Sequence, residues 1–426
     1  SNLTVQDLAD RVDAYFLRIQ ERKSDGSSYE ESIDGKAIDL SYASTEPLQQ
    51  ILREQNQYLW FLPQHEEHET EALLSYNKEK LTQAVQALKG FEEDFAQAPT
   101  NAYISEYTPE AGFSIVAETQ GNELDQAKTL EVISNAVEEL KGLVNLDAEG
   151  CYETPAVTSD SEELQNTLQK LQKYGTVTIT YRFGDNIEVL DGSTISTWLE
   201  VDGFAVTLDQ TQVENYVATL RKKYDSIFRS RTFMTSYGKE ITVDGGDYGW
   251  WMNYQQEAKE LAAQIETGES GERTPVYYQT AASYGTPDYG DTYVEINLTA
   301  QHLFFYKDGQ LVMESDFVSG NSARGYDTPE GTYSITYKQR NATLVGENYE
   351  TPVSYWMPFN KNIGMHDATW RSSFGGTIYK TKGSHGCINM PYEKAQELYG
   401  YIEKGTPVIC YHLAGTERST ESELEK

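Results

Sequence analysis

At the start of the chain, Leu3, Leu8, Val12, Tyr15, Phe16 and Ile19 recur at helical spacing and predict an amphipathic helix. A strand-like stretch follows at Gly35–Leu40. Helices are then expected over 45–60 and from Asn77 to Phe95, an extended segment at Phe113–Glu118, and a helix holding Leu130, Ile133, Val137 and Leu140. Much of this order returns. Gly192–Ile195 echoes the first strand. Leu208–Val213 opens a helix that runs to Phe228, with Asp209 suited to cap its N-terminus. Gly238–Val243 mirrors the extended segment, and Tyr254–Ile265 mirrors the last helix. The pattern predicts two copies of one α+β unit.

Residues 267–290 are rich in Gly, Ser, Thr and Pro and read as a linker. The texture then changes to short strands. Tyr293–Leu298 alternates with period two. His302–Tyr306 and Leu311–Met313 flank Asp308-Gly309, a pair that tolerates positive φ in a hairpin turn. Tyr333–Tyr337 and Pro407–Tyr411 are further strands, and Tyr392–Ile402 is the one helical stretch expected there. The expected division is therefore α+β multidomain: a first unit over 1–150, a second over 155–267, a linker at 268–290, a strand-rich unit at 291–412 and an acidic tail at 413–426.

Length and charge bound what such a chain does. At 426 residues it holds more than one core. Its formal net charge is −33, which argues against nucleic acid as a partner. Residues 291–412 account for only −3 of that, so the acidity belongs to the preceding units and the tail. Three cysteines, Cys151, Cys387 and Cys410, make no disulfide framework. His65-Glu66-Glu67-His68 lacks the spacing of a zinc-binding helix, and neither a metal nor a cofactor is expected. Trp250-Trp251 suits either a core position or stacking on a sugar.

The chemistry concentrates from His366 to Asn389, where Gly364 just ahead and Gly375, Gly376, Gly383 and Gly386 within crowd two histidines and a cysteine. A thiol becomes a nucleophile when a base or a positive field removes its proton. Two bases compete. His385 lies two residues before Cys387, on the same side if the stretch is extended, whereas His366 reaches Cys387 only through the fold. Spacing alone leaves both open. Cys151 and Cys410 have no histidine nearby and are expected to be structural.

His366, a gap of 17 residues, and Ser384-His385-Gly386-Cys387-Ile388-Asn389 together resemble the signature of the YkuD-type L,D-transpeptidases. Ser319-Gly320 and Thr328-Pro329-Glu330-Gly331-Thr332-Tyr333 are similar to that family's upstream block. The paired upstream units resemble the peptidoglycan-binding repeats that precede this domain in Gram-positive members, in element order and in the Asp244-Gly245-Gly246 region. The resemblance implies a mostly β catalytic domain. It implies Cys387 as nucleophile, His366 as proton acceptor and donor, and the backbone carbonyl of Asp367 orienting His366. It also implies His385 lining the site and the Gly386 and Cys387 amides as candidate oxyanion donors. Ser384 and Asn389 are the expected substrate contacts, and the locally basic loop adds Arg371 as a candidate for the stem carboxylate.

The activity so implied is 3→3 cross-linking of peptidoglycan stem peptides through a thioester, with release of D-Ala. Carbapenem-type β-lactams are the expected inhibitors. A hydrolase on the same site and a silent wall-binding protein are the alternatives. The expected location is the extracellular face of a Gram-positive envelope. No apolar run reaches the ~18–20 residues of a membrane span; the full-length protein is expected to be membrane-anchored, with the anchor absent from this chain.

Overall fold

The computed structural model describes residues 5–42, 74–346 and 349–418. The expected helix over 45–60 and the His65–His68 cluster lie outside these residues. Contacts divide the chain into two compact units, 1–172 with 203–205, and 173–202 with 206–426.

In the first unit the opening helix stops at Asp13, and Phe16–Arg22 is a strand rather than its continuation. Helical spacing and strand alternation overlap here. Leu17 and Ile19 point inward while Phe16 and Arg18 face out, so period two wins once a sheet partner is present. That partner is Ser28–Asp34, antiparallel, with Leu143–Asn145 added in parallel on the other edge. Gly35–Ile38, expected as a strand, is a single 3-10 turn capped by the Asp34 carboxylate. Helix Lys78–Gln86, capped by Asn77, ends well short of Phe95. Beyond it a Cβ on Gly90 would meet Leu124 Cδ1 at 2.5 Å, so the chain there presses directly on that side chain. Helix Gln126–Glu138 is capped by Asp125 and buries Val132, Ile133, Ala136 and Val137 against the sheet core.

The second unit begins with the same device. Ile179–Phe183 pairs antiparallel with Asn186–Leu190 and parallel with Gly271–Arg273. Asp191 caps the turn Gly192–Ser196, as Asp34 caps its counterpart. Helices Gln210–Tyr224 and Tyr254–Thr267 follow, capped by Asp209 and Asn253. The repeat is therefore genuine, but the element read as an echoing strand is a helical turn in both copies. The aspartate before the glycine explains this, since its side chain satisfies amide groups that a strand would have paired elsewhere.

The expected linker is also corrected. Gly271–Arg273 completes the second repeat's sheet, and Tyr277–Gln279 pairs with Trp251–Met252. Asp288 is buried in a bidentate ion pair with Arg231, Nε to Oδ1 2.8 Å and Nη2 to Oδ2 2.7 Å. Polar loop composition concealed a segment that carries two paired strands and a buried ion pair.

The strand-rich part has two sheets. One has the order Gln310–Asp316, His302–Lys307, Tyr293–Asn297, Pro407–Tyr411, Gly331–Ser334. The other runs Gln339–Gly346, Tyr349–Asn360, Ile363–Asp367, Ile388–Met390. Their inner faces, with Leu398 and Ile402 from the helix end, form one apolar core around Ile296, Phe305, Phe317, Met357, Met365 and Ile388. The hairpin turn is as expected, with Asp308 and Gly309 both at positive φ.

The second repeat is docked onto this domain. Phe233, Val243 and Tyr248 share a core with Ile409 and Tyr411. Buried Glu295 accepts hydrogen bonds from Ser236 N, Ser236 Oγ and Tyr411 Oη. A Cβ on Gly246 would lie 2.0 Å from the Thr332 carbonyl, and its φ is +82°, so only glycine fits this close backbone approach.

Candidate active site

The parallel pairing of Ile363–Asp367 with Ile388–Met390 sets His366 beside Asn389 and brings Cys387, just ahead of its strand, to the same sheet edge. His366, Trp370, Arg371, Ser384, His385, Cys387 and Asn389 line one cavity of about 220 Å³. Two residues distant in sequence thus line one cavity, with the Cys387 thiol directed to the Asn362 carbonyl at 3.6 Å.

Cys387 follows Gly386 at φ +118°, a conformation open to glycine. The bend at His385-Gly386 removes the extended geometry on which a direct His385–Cys387 pairing depends. His385 lies at the exposed rim, its ring 4.6 Å from that of Tyr326. The turn is held from several sides. Ser384 Oγ donates to the Cys387 carbonyl at 2.6 Å and accepts from Gly386 N at 3.0 Å. Thr328 Oγ1 donates to the Gly386 carbonyl at 2.7 Å and accepts from Gly320 N at 3.1 Å. The upstream Ser-Gly and Thr-Pro block is therefore the buttress of the nucleophile turn. At Gly320 a Cβ would meet the Tyr326 carbonyl at 1.7 Å, which excludes any other residue.

These bonds correct one expectation. The Gly386 amide is already spent on Ser384 Oγ and is not aimed at a developing oxyanion, which leaves Cys387 as the amide to consider. Ser384, which also lines the cavity, holds the turn by donating to the Cys387 carbonyl and accepting from Gly386 N. A hydroxyl three residues before the nucleophile closes a tight turn more readily than it reaches outward.

His366 Nδ1 lies 2.8 Å from the Asp367 carbonyl. A carbonyl only accepts, so Nδ1 carries the proton and Nε2 keeps its lone pair. The Asp367 carboxylate accepts from Ser354 N and Tyr355 N, each at 2.8 Å, and fixes the backbone that orients the imidazole. Burial pushes His366 below its ordinary pKa, against the opposing pull of the Asp367 carbonyl. Burial also pushes the Cys387 thiol up to about 11. The resting pair is thus neutral imidazole and neutral thiol.

Two further groups have unmet capacity. Arg371 Nη1 donates to the Lys382 carbonyl at 2.9 Å, while its Nε is buried without a partner. Asn389 Oδ1 is likewise buried and unpaired. One donor and one acceptor therefore remain on residues that line the cavity. Sequence reasoning missed Trp370, exposed with its ring 5.9 Å from His366, and Trp356, buried at the same distance on another side. It also missed Leu344 and Thr351 at the mouth. Trp370 sits in the gap between the two motif halves, where no spacing rule marks it.

A family model described as "L,D-transpeptidase catalytic domain" matches residues 291–410. One described as "Putative peptidoglycan binding domain" matches twice, at 29–145 and 157–273. An Enterococcus faecium L,D-transpeptidase, solved as a cysteine-to-serine mutant, is 36% identical over 58% of this chain and 100% of that one, with a TM-score of 0.48. The chain belongs to the L,D-transpeptidase family.

The catalytic domain of an E. faecium L,D-transpeptidase, solved acylated by ertapenem, is 45% identical to the transpeptidase described here. That likeness covers 29% of this chain and 98% of the other, with a TM-score of 0.27. A Mycobacterium tuberculosis L,D-transpeptidase is 21% identical over 33% of this chain and 60% of its own, with a TM-score of 0.26. No curated protein matches the chain. The second repeat's match extends to Arg273, in keeping with the strand Gly271–Arg273.

Proposed function

We propose that this transpeptidase forms 3→3 peptidoglycan cross-links through a thioester on Cys387. The observation that carries the reading is a buried imidazole, fixed by the Asp367 carbonyl with its Nε2 lone pair available, lining the same cavity as a buried thiol. His366 Nε2 takes the thiol proton as Sγ bonds to the carbonyl carbon between residue 3 and D-Ala 4 of a stem peptide. The C–N bond then breaks, and the imidazolium gives its proton to the departing D-Ala amine. The side-chain amine of residue 3 on a second stem attacks the thioester, His366 takes a proton from it, and the thiol is regenerated. Charge develops on the carbonyl oxygen in both halves, and the Cys387 amide is the candidate donor for it. Arg371 Nε and Asn389 Oδ1 offer a cation and an acceptor for the stem's carboxylate and amide groups. The cycle operates on the extracellular face of the envelope, where its substrate lies.

Incubation with a purified disaccharide-tetrapeptide tests this. A dimer lighter by one D-Ala, absent with Cys387→Ala, is expected. Tripeptide monomer alone would make the enzyme a hydrolase, and no product from wild type would overturn the catalytic reading.

A further inference from the structure

The second repeat holds a cavity of about 390 Å³ that the transpeptidase reaction does not use. Trp251, Phe228, Arg221, Lys222 and Arg229 stand around it. Two rings are presented to solvent there, Phe228 at 68% and Trp251 at 37% exposure, with Tyr278 at 53% beside them. Trp251 lies edge to Phe228 at 6.2 Å and tilted to Tyr278 at 4.9 Å, so the three form one continuous aromatic surface. Its neighbour Trp250 has the opposite fate, buried and stacked on Tyr284 at 3.8 Å.

The surface is braced. Ser226 N and Ile227 N both donate to the Trp250 carbonyl, at 3.1 and 3.2 Å. Met252 N donates to Asp225 Oδ1, and Trp250 N to Ser226 Oγ. Ser226 Oγ donates in turn to Asp288, the partner of Arg231. Between these ties Phe228 sits at φ +60°, which is strained for a bulky side chain and turns its ring outward. The flanking charge is +2: Arg221, Lys222 and Arg229 against Asp225. That stands out in a chain of net charge −33.

The first repeat supplies an internal control. Asp125 N donates to the Cys151 carbonyl as Asn253 N donates to that of Val276, and Leu124 and Met252 are the buried residues before each cap. Trp251 therefore corresponds to Glu123, an acidic residue with no ring to offer. From the exposed aromatic surface, its bracing and its cationic rim, we infer that the second repeat binds a glycan strand bearing carboxylates at this surface. Sugar rings stack on Trp251 and Phe228, and Arg221, Lys222 or Arg229 pairs with the carboxylate. This rests on the reading of the chain as a peptidoglycan enzyme.

The test uses the whole chain and peptidoglycan strands stripped of stem peptides, which retain lactyl carboxylates and offer the catalytic site no acyl donor. Calorimetric titration should show saturable binding by wild type. It should weaken about tenfold or more in Trp251→Ala and Phe228→Gly, stay unchanged in Glu123→Ala, and fall as salt rises. Phe228→Gly suits the positive φ, so it removes the ring without threatening the fold. Acylation by a carbapenem should be equal in all four proteins, which keeps this outcome separate from the fate of the catalytic reading. No binding by wild type, undiminished binding by both aromatic variants, or preference for a polyglycerol phosphate over the glycan would overturn the inference.

Discussion

The neutral resting pair makes a prediction that separates two mechanisms. With a thiol pKa of about 11, only about 0.03% of Cys387 is thiolate at pH 7.5. If that fraction alone reacted, acylation would rise tenfold per pH unit toward pH 10. If His366 removes the proton as Sγ attacks, the rate depends on neutral imidazole instead. Burial lowers the pKa of His366, so it is already neutral above its ordinary range and loses activity only as acid protonates it. The expected acylation profile is therefore flat between about pH 7 and 9, with an acid limb below about 6.5. Replacing His366 with Gln removes the base and should restore the tenfold-per-unit rise, with a loss of about 10²–10⁴ at pH 7.5. Stopped-flow acylation by a carbapenem across this range measures both. A wild-type rate that climbs log-linearly through pH 9 would refute the general-base argument.

Further outcomes follow from the packing around the site. Thr328→Val keeps the volume but strips the Gly386 carbonyl and Gly320 amide of a buried partner, at about 1–3 kcal/mol. It should slow acylation about tenfold or more, and an unchanged acylation constant in a folded variant would rule out positioning by this hydroxyl. Arg371→Ala should raise KM for a tetrapeptide donor far more than it lowers kcat, because a carboxylate clamp acts mainly on binding; equal KM would discard the clamp. Arg231→Met leaves Asp288 buried without its bidentate partner and should destabilise the chain by about 3–5 kcal/mol in urea unfolding. An unshifted transition would show that the pair is dispensable.

Much of the candidate site was legible because its groups are local. Ser384 to Asn389 carries the nucleophile, its glycine and an unsatisfied amide within one turn and strand, and such spacing survives any packing. The family resemblance then favoured His366 over His385. The structure supplies a physical reason, a bend at Gly386 and a strand register that no local rule encodes. Hydrogen-bond commitments were illegible for the same reason. The Gly386 amide was expected to face the substrate, yet Ser384 Oγ satisfies it inside the turn.

The same division holds for the fold. The sequence by itself showed the repeat through its element order, because helical stretches such as the one capped by Asp209 depend on residues close together in the chain. It also determined the Asp308-Gly309 hairpin and the chemical identity of the nucleophile segment. Only the tertiary structure decided that Phe16–Ile19 is a strand, that the expected linker is part of the second repeat, and that Trp251 is exposed while Trp250 is not. Each of those outcomes turns on which distant backbone or side chain arrives to satisfy a hydrogen bond or cover an apolar face. A pattern read along the chain holds no information on arrivals from elsewhere.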